Sequence, residues 1–131
     1  MKNKIMLITY ADSFGKDLKE LKWVVDRYFK REINGIHVLP FFPSSGDRGF
    51  APVNYREVDP AFGDWEDVKA LAGEYELMFD FMINHLSRRS PEFLDFIEKH
   101  ESSEYADMFL RFKKFWPGGE PTEAEVDLLN K

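Results

Sequence analysis

Two patterns of apolar residues alternate along the chain. Continuous apolar runs are typical of buried strands, and apolar residues at helical spacing are typical of amphipathic helices. Continuous apolar runs predict strands at Ile5–Thr9, Ile36–Leu39 and Leu77–Ile83. Between the first two runs, apolar residues recur at helical spacing after Asp17, which can cap a helix together with Glu20. Strands that alternate with amphipathic helices form successive βαβ units, whose right-handed crossovers make the sheet parallel. The pattern therefore predicts an α/β fold.

Turn and capping residues mark the limits of the predicted elements. The helix that precedes the third strand is predicted to stop near Gly73 or Tyr75. The other signals are a helix stop and turn at Asn34-Gly35, a helix start at Asp64, a second helix start at Ser90-Pro91, and a capping box at Thr122 with Glu125.

A long loop rich in Pro and Gly follows the second predicted strand and carries Asp47, Arg48 and Phe50 at its centre. Parallel α/β folds build ligand sites from loops at the carboxyl ends of their strands. Asp47 can accept hydrogen bonds from a polyhydroxylated ligand, and Phe50 offers an apolar face to a sugar ring. The alternative is an ordinary surface connection in which Asp47 and Arg48 are solvated turn residues.

Polar residues also interrupt and follow the third predicted strand. Asp80 lies within the apolar run, and because an unpaired buried carboxylate is costly, it requires a partner. Asn84 and His85 come just past the strand, where a histidine is either a site residue or a structural hydrogen-bonding group. The next segment, Ser87-Arg88-Arg89, either contacts a phosphate or carboxylate or is a solvated approach to the following helix.

Composition narrows the class of protein. The 131 residues fit one domain, and 44% hydrophobic with 16% aromatic residues predicts a globular chain with an aromatic-rich interior. A net charge of −6 argues against a nucleic-acid partner, and the lack of cysteine excludes disulfides and thiolate metal sites. His37 and His100 are interpreted as structural, and the histidines are too scattered to indicate a metal site. With neither a signal-peptide pattern nor a membrane-length apolar run, we expect a cytoplasmic protein.

Five segments together resemble one enzyme family. They are Ile8–Asp12, Gly35–Phe42, Gly46–Phe50, Asp80–His85 and Ser103–Phe109. These segments are similar to the N-terminal part of the sucrose phosphorylase and sucrose 6′-phosphate phosphorylase family, within glycoside hydrolase family 13 of the α-amylase superfamily. The resemblance covers essentially the whole chain. The segment Pro43–Phe50, together with Ser87–Arg89, resembles the 6′-phosphate branch more closely.

The resemblance implies a fold and a set of roles. Residues 1–100 would form the first three β/α units of a (β/α)8 TIM barrel, and residues 101–131 would begin the small domain inserted after the third strand. By position, Asp47 and His85 match residues that hold hydroxyls of the glucosyl unit, and Phe50 matches the aromatic residue against which that ring packs. Asp80 and Asn84 match structural members of the first signature region. Arg48 and Arg88 are candidate contacts to phosphate or to neighbouring loops. The family implies neither a metal nor a cofactor.

The family reaction is retaining: a carboxylate takes the glucosyl group from the donor, and inorganic phosphate then forms α-glucose 1-phosphate. Its nucleophile and acid follow the fourth and fifth strands, positions that these 131 residues do not contain. We therefore expect this chain to be the N-terminal portion of such an enzyme, with sugar and phosphate as its partners. By itself it should be inactive and prone to self-association at its open sheet edge. The alternatives are another enzyme of the superfamily, such as an α-glucosidase or a glucosylglycerate-type phosphorylase, and a non-catalytic sugar-binding or assembly module.

Overall fold

The computed structural model describes residues 5–130, apart from the side chain of Asp47. The chain divides into two compact units, one that ends at Phe93 and one that begins at Leu94. The elements, in chain order, are β1 (Ile5–Thr9), α1 (Leu18–Tyr28), β2 (Ile33–Val38), α2 (Trp65–Ala72), β3 (Glu76–Phe79), α3 (Pro91–Lys99), α4 (Phe112–Phe115) and α5 (Glu123–Leu129). Among the described residues, no helix is long and apolar enough to cross a membrane.

The three strands form one parallel sheet in the order β1-β2-β3, which confirms the parallel sheet predicted from the alternation of elements. On one face, Ile36 and Val38 of β2 are buried. On the other face, Ile8, His37 and Met78 are aligned across the three strands, and Ile8 is 63% exposed. The apolar run Ile5–Thr9 is typical of a strand that is covered on both faces, and a barrel piece of three strands is expected to leave one face uncovered. Within the described residues, the buried side chains of the sheet lie on the first face.

Helices α1 and α2 supply the apolar side chains that cover this first face. Leu18, Leu21 and Val25 recur along one side of α1, and Val68 and Leu71 do the same on α2. Together with Ile36, Val38 and Phe41 they form the core. Burying each of these large side chains contributes about 1.5–3 kcal/mol to the stability of the folded chain. The helical spacing of the apolar residues brings them to the same side of each helix, where they can be buried together.

The predicted turn at Asn34-Gly35 is wrong, because both residues lie inside β2. Helix α1 already ends at Tyr28, where Phe29 is the C-cap. Ile5 pairs with Ile33 and Met6 pairs with Gly35, so Asn34 is an extra residue at a bulge. Glycine and asparagine are common both in turns and at bulges, and the local sequence did not distinguish the two.

The third strand is shorter than predicted, since β3 ends at Phe79 rather than Ile83. Its last pairing is with Val38, the final residue of β2. Beyond this point the chain is held by a side chain, because the Tyr55 hydroxyl donates to the carbonyl of Met82 (3.1 Å) and accepts from its N–H (2.9 Å). Asp80 therefore follows the strand and does not interrupt it. The apolar run continued past the residue at which β3 has a partner.

The predicted helix caps are confirmed. Asp17 accepts from the N–H of Glu20 at 2.9 Å, and Ser90 accepts from the N–H of Phe93 at 3.2 Å. Capping boxes join Asp64 to Asp67 and Thr122 to Glu125. Because α2 ends at Ala72 with Gly73 as its C-cap, the predicted stop near Gly73 is also confirmed.

The unit from Leu94 onward is built mainly from short helices and aromatic contacts. The rings of Phe96 and Phe109 stack with their centroids 5.3 Å apart, and the ring of Phe115 meets that of Trp116 edge to face at 4.7 Å. Arg111 pairs with Glu101 and with Asp107. The domain boundary inferred at residue 100 from the family resemblance stays a prediction.

The loop after β2 is closed by a ladder of backbone hydrogen bonds. The N–H groups of Asp59, Val53 and Ser45 donate to the carbonyls of Phe41 (2.9 Å), Pro43 (2.7 Å) and Ala51 (3.0 Å), respectively. Within this ladder, the Ser44 hydroxyl donates to the carbonyl of Ala51 at 2.9 Å. We refer to residues 44–52 as the β2 loop. These bonds make its ends fixed, although the segment contains little regular structure.

Two consecutive residues at the tip of the β2 loop have left-handed backbone angles. Arg48 has φ 48° and ψ 36°, and Gly49 has φ 91°. A non-glycine residue in this region costs about 1–2 kcal/mol. At Gly49 a Cβ atom would lie 2.5 Å from the carbonyl oxygen of Pro40, so only glycine fits there.

A hydrogen bond to a charged side chain joins α1 to the segment before β3. The buried Tyr75 donates its hydroxyl hydrogen to Asp26 at 2.7 Å, and Lys22 also donates to Asp26. Partial burial would raise the pKa of the Asp26 carboxyl, but the hydrogen bonds from Lys22 and Tyr75 outweigh it and hold this pKa below its ordinary value. Burial and the adjacent Asp26 carboxylate raise the pKa of the Tyr75 hydroxyl.

We predict that Asp26→Asn destabilises the protein at pH 7 by about 1 kcal/mol, and that the penalty shrinks at low pH. Because the pKa of Asp26 is lower in the folded state, its ionised form stabilises folding above the ordinary carboxyl pKa, and this stability is lost as the pH falls through the folded value. Urea unfolding between pH 7 and about pH 3 measures the effect. Asp127→Asn, an exposed position on α5, is the control, and an equal, pH-independent penalty for both variants would contradict the prediction.

We predict that Gly49→Ala destabilises the folded chain by about 1–3 kcal/mol, because the new methyl group would contact the Pro40 carbonyl and the backbone is left-handed. The matched control is Gly46→Ala in the same loop. A Cβ there would lie 3.5 Å from the Cβ of Ala51, which is an ordinary contact. Denaturant midpoints compare the two variants. Equal midpoints would show that the tip does not adopt this conformation.

Candidate functional site

The carboxyl ends of the three parallel strands lie at one edge of the sheet, and the segments that follow them supply the candidate site. Tyr10 and Asp12 follow β1, the β2 loop follows β2, and Asp80 to His85 follow β3. Ligand sites in parallel α/β folds form at this edge. The topology therefore brings together residues that are 30 or more positions apart in sequence.

A hydrogen bond joins two residues that the family resemblance predicts to bind substrate. His85 Nε2 lies 2.7 Å from the carbonyl oxygen of Phe50. Because a carbonyl oxygen only accepts, Nε2 carries the proton, and Nδ1 is then free to accept from the side-chain amide of Asn84 at 3.0 Å. His85 and Asn84 are both exposed. The imidazole is thus oriented by its two nitrogens, and it fixes the position of the Phe50 backbone.

Ser87 gives the β2 loop a second connection to the segment after β3. The Ser87 N–H donates to the carbonyl of Pro52 at 2.9 Å, and its buried hydroxyl contacts the hydroxyl of Ser45 at 2.5 Å. The same hydroxyl accepts from the N–H of Arg89 at 2.9 Å. The cluster Ser87-Arg88-Arg89 therefore contributes to loop packing through its serine.

Asp80 is paired, as its position in an apolar run predicts. Its Oδ2 lies 2.9 Å from His37 Nε2, and both side chains are partly buried. His37 is the penultimate residue of β2, so this contact links the ends of β2 and β3. The structural interpretation of His37 and Asp80 is consistent with this contact. Burial, together with the nearby Asp80 carboxylate, raises the pKa of the Tyr55 hydroxyl.

On the other side, the β2 loop contacts the end of β1 through Arg48. The Nη1 and Nη2 atoms of Arg48 donate to Asp12 Oδ2 (3.3 Å) and Asp12 Oδ1 (3.1 Å). The guanidinium carbon also lies 4.1 Å from the centroid of the Tyr10 ring. A hollow of about 190 Å³ adjoins these groups and is lined in part by Phe42, Asp59 and Tyr10. Asp12 and Tyr10 were not predicted as site residues; their signal was that they directly follow a strand.

One predicted site residue is not joined to this arrangement, and the side chain of another is not described. Arg88 is exposed in the turn before α3, and within residues 5–130 its side chain forms no hydrogen bond or ion pair. Asp47 lies in the helical turn at the tip of the β2 loop, and its side chain is outside the described part of the structure. Its role as a hydroxyl acceptor stays a prediction. In the described part of the chain, no three His, Asp or Glu residues group as metal ligands.

Two known phosphorylases are similar to this chain over nearly its whole length. Sucrose phosphorylase of Streptococcus mutans is 61% identical over 129 residues, which cover 98% of this chain and 27% of that protein. Sucrose 6(F)-phosphate phosphorylase of Thermoanaerobacterium thermosaccharolyticum is 50% identical, again over 98% of this chain and over 26% of the relative. The chain thus spans about a quarter of the length of these relatives.

A solved structure supports the same relationship. The crystal structure of sucrose 6F-phosphate phosphorylase from Thermoanaerobacter thermosaccharolyticum superposes with a TM-score of 0.89 at 50% identity, and the match covers 97% of this chain and 26% of that one. This confirms the predicted α/β fold, three β/α units of a TIM barrel. The family described as alpha amylase, catalytic domain, matches residues 9–127. Since that match takes in most of the sequence, the chain belongs to the α-amylase catalytic-domain family.

Proposed function

We propose that this chain forms part of the glucosyl-binding subsite of a retaining glucoside phosphorylase that acts on sucrose or its 6′-phosphate. The observation that carries the proposal is the hydrogen bond between His85 and the carbonyl of Phe50, at 2.7 Å. It brings together, from two different strand ends, two of the three residues that match substrate-binding positions of the family. The names and identities of the two phosphorylases described above support the same reaction class.

In this proposal each residue has a distinct task. Phe50 presents an apolar ring face to the sugar, and Asp47 accepts hydrogen bonds from two sugar hydroxyls. His85 Nε2 continues to donate its hydrogen bond to the Phe50 carbonyl, and Nδ1 accepts from a further sugar hydroxyl in place of the Asn84 amide. The exchange is inexpensive, since Asn84 is exposed and its amide can return to water.

The chemistry itself is assigned to groups outside these 131 residues. A carboxylate attacks the glucosyl C1 as the C1–O bond to the fructosyl unit breaks, and an acid protonates the departing oxygen. A phosphate oxygen then attacks C1 from the opposite side and releases the carboxylate, giving α-glucose 1-phosphate. The proposed contribution of this chain is to hold the glucosyl ring so that C1 faces the nucleophile.

Two observations point to different glucosyl donors, sucrose 6′-phosphate and sucrose. The segment Pro43–Phe50, with Ser87–Arg89, resembles the 6′-phosphate branch, whereas identity is higher to the sucrose phosphorylase (61%) than to the sucrose 6(F)-phosphate phosphorylase (50%). Both donors are therefore compared in the test.

We predict that a hybrid enzyme, in which this chain replaces the matching segment of the T. thermosaccharolyticum phosphorylase, releases α-glucose 1-phosphate from one of these donors only when phosphate is present. In that hybrid, Asp47→Ala should lower kcat/KM about 10–100-fold, because hydrogen bonds to a charged group are worth about 1.5–3 kcal/mol. A coupled assay of α-glucose 1-phosphate measures the rate.

Glu32→Ala is the control, since Glu32 is exposed at the amino end of β2, away from the candidate site. It should keep the activity of the unmodified hybrid within about twofold. A hybrid that folds and releases glucose without phosphate would indicate a glucosidase. A folded hybrid inactive on both donors would refute the proposal and favour a non-catalytic role.

A further inference from the structure

We propose that Tyr10, Asp12 and Arg48 act as a clamp that positions the β2 loop for sugar binding, so that these three residues support the glucosyl subsite without touching the sugar. The inference rests on the proposed function, because the subsite is part of it. We refer to the three residues as the Arg48 clamp.

The guanidinium of Arg48 contacts both Asp12 and Tyr10. Two nitrogens donate to the two carboxylate oxygens of Asp12, at 3.3 and 3.1 Å. The guanidinium carbon lies over the Tyr10 ring, 4.1 Å from its centroid. The paired hydrogen bonds to Asp12 fix the direction of the Arg48 side chain, and the contact with the Tyr10 ring adds a cation–π attraction. Tyr10 and Asp12 both follow β1, so the clamp ties the β2 loop to the end of a different strand.

The backbone of Arg48 shows why the contact affects more than the surface. Residue 48 is left-handed, with φ 48° and ψ 36°, a conformation that an arginine does not favour in an unconstrained loop. If the guanidinium were released, the backbone at this position could relax toward the right-handed region. Because Asp47 precedes Arg48 directly and Phe50 follows it by two residues, that relaxation would move both predicted sugar contacts.

The clamp complements the contacts on the opposite side of the loop. His85 holds the carbonyl of Phe50, and Ser87 holds the carbonyl of Pro52, both from the segment after β3. The Arg48 clamp provides the connection toward β1. The side chain of Arg48 is 51% exposed, so as an ordinary surface ion pair it would contribute little. Its proposed role therefore lies in orienting the loop rather than in stabilising the fold.

The first test measures loop order without any substrate. Trypsin cleaves after arginine, and the Arg48–Gly49 bond lies at the loop tip. In the full chain, Asp12→Asn should speed cleavage after Arg48 about tenfold, because the variant removes the charged partner that keeps the guanidinium out of the protease pocket. Cleavage after Arg56, whose side chain is 84% exposed, is the internal reference and should change by less than about twofold. An equal rise at both bonds, or no rise after Arg48, would overturn the clamp.

The second test measures sugar binding in the hybrid enzyme. Arg48→Lys keeps the charge but loses the paired geometry, and Asp12→Asn keeps the shape but loses the charge. Each should reduce kcat/KM about tenfold, mainly through KM, and the double variant should be no worse than either single variant because both break the same contact. Arg56→Ala should stay within about twofold of the unmodified hybrid.

The two tests separate the clamp from the function on which it rests. An unmodified hybrid that folds but is inactive refutes the proposed function, whereas the trypsin result still decides whether the clamp orders the loop. If the trypsin rates change as expected and the kinetics of both single variants do not, the clamp orders the loop without serving the subsite, and the inference is wrong. Additive losses in the double variant would also overturn it.

Discussion

Parallel backbone pairing of β1, β2 and β3 determines where the candidate site forms. It places the residues after Thr9, Val38 and Phe79 at one edge of the sheet, although they are far apart in sequence. The pairing is in turn supported by the apolar stripes of α1 and α2, which cover one face of the strands. The candidate site therefore depends on the packing of helices that contribute no side chain to it.

In addition to its own backbone ladder, the β2 loop is ordered by contacts with the neighbouring strand ends. His85 and Ser87 hold it from the side of β3, and Asp12 holds it from the side of β1. Each contact alone is worth little, on the order of 1 kcal/mol. Together they keep a left-handed tip at Arg48 and place Phe50 beside an oriented histidine. Such a loop can present polar groups to a ligand without first having to be ordered.

Short-range patterns predicted much of the fold, since capping residues such as Asp17 and Ser90 act on neighbouring N–H groups. They failed where long-range pairing decides the outcome. Asn34 occupies a bulge because Met6 pairs with Gly35, which the local sequence does not show. At the site, the need of Asp80 for a partner could be inferred from the cost of burial. The contact between Asp12 and the loop tip could not be inferred from the sequence, because this contact depends on the strand order and on the backbone angles of residue 48.

In the proposed subsite, the β2 loop and His85 together hold the glucosyl ring. A crystal structure of the hybrid enzyme with glucose bound is the decisive experiment. We expect the ring to lie against Phe50, with hydroxyls within about 3.2 Å of Asp47 and of His85 Nδ1, and with the His85 contact to the Phe50 carbonyl retained. Glucose bound elsewhere, with no contact to these three residues, would rule out this subsite.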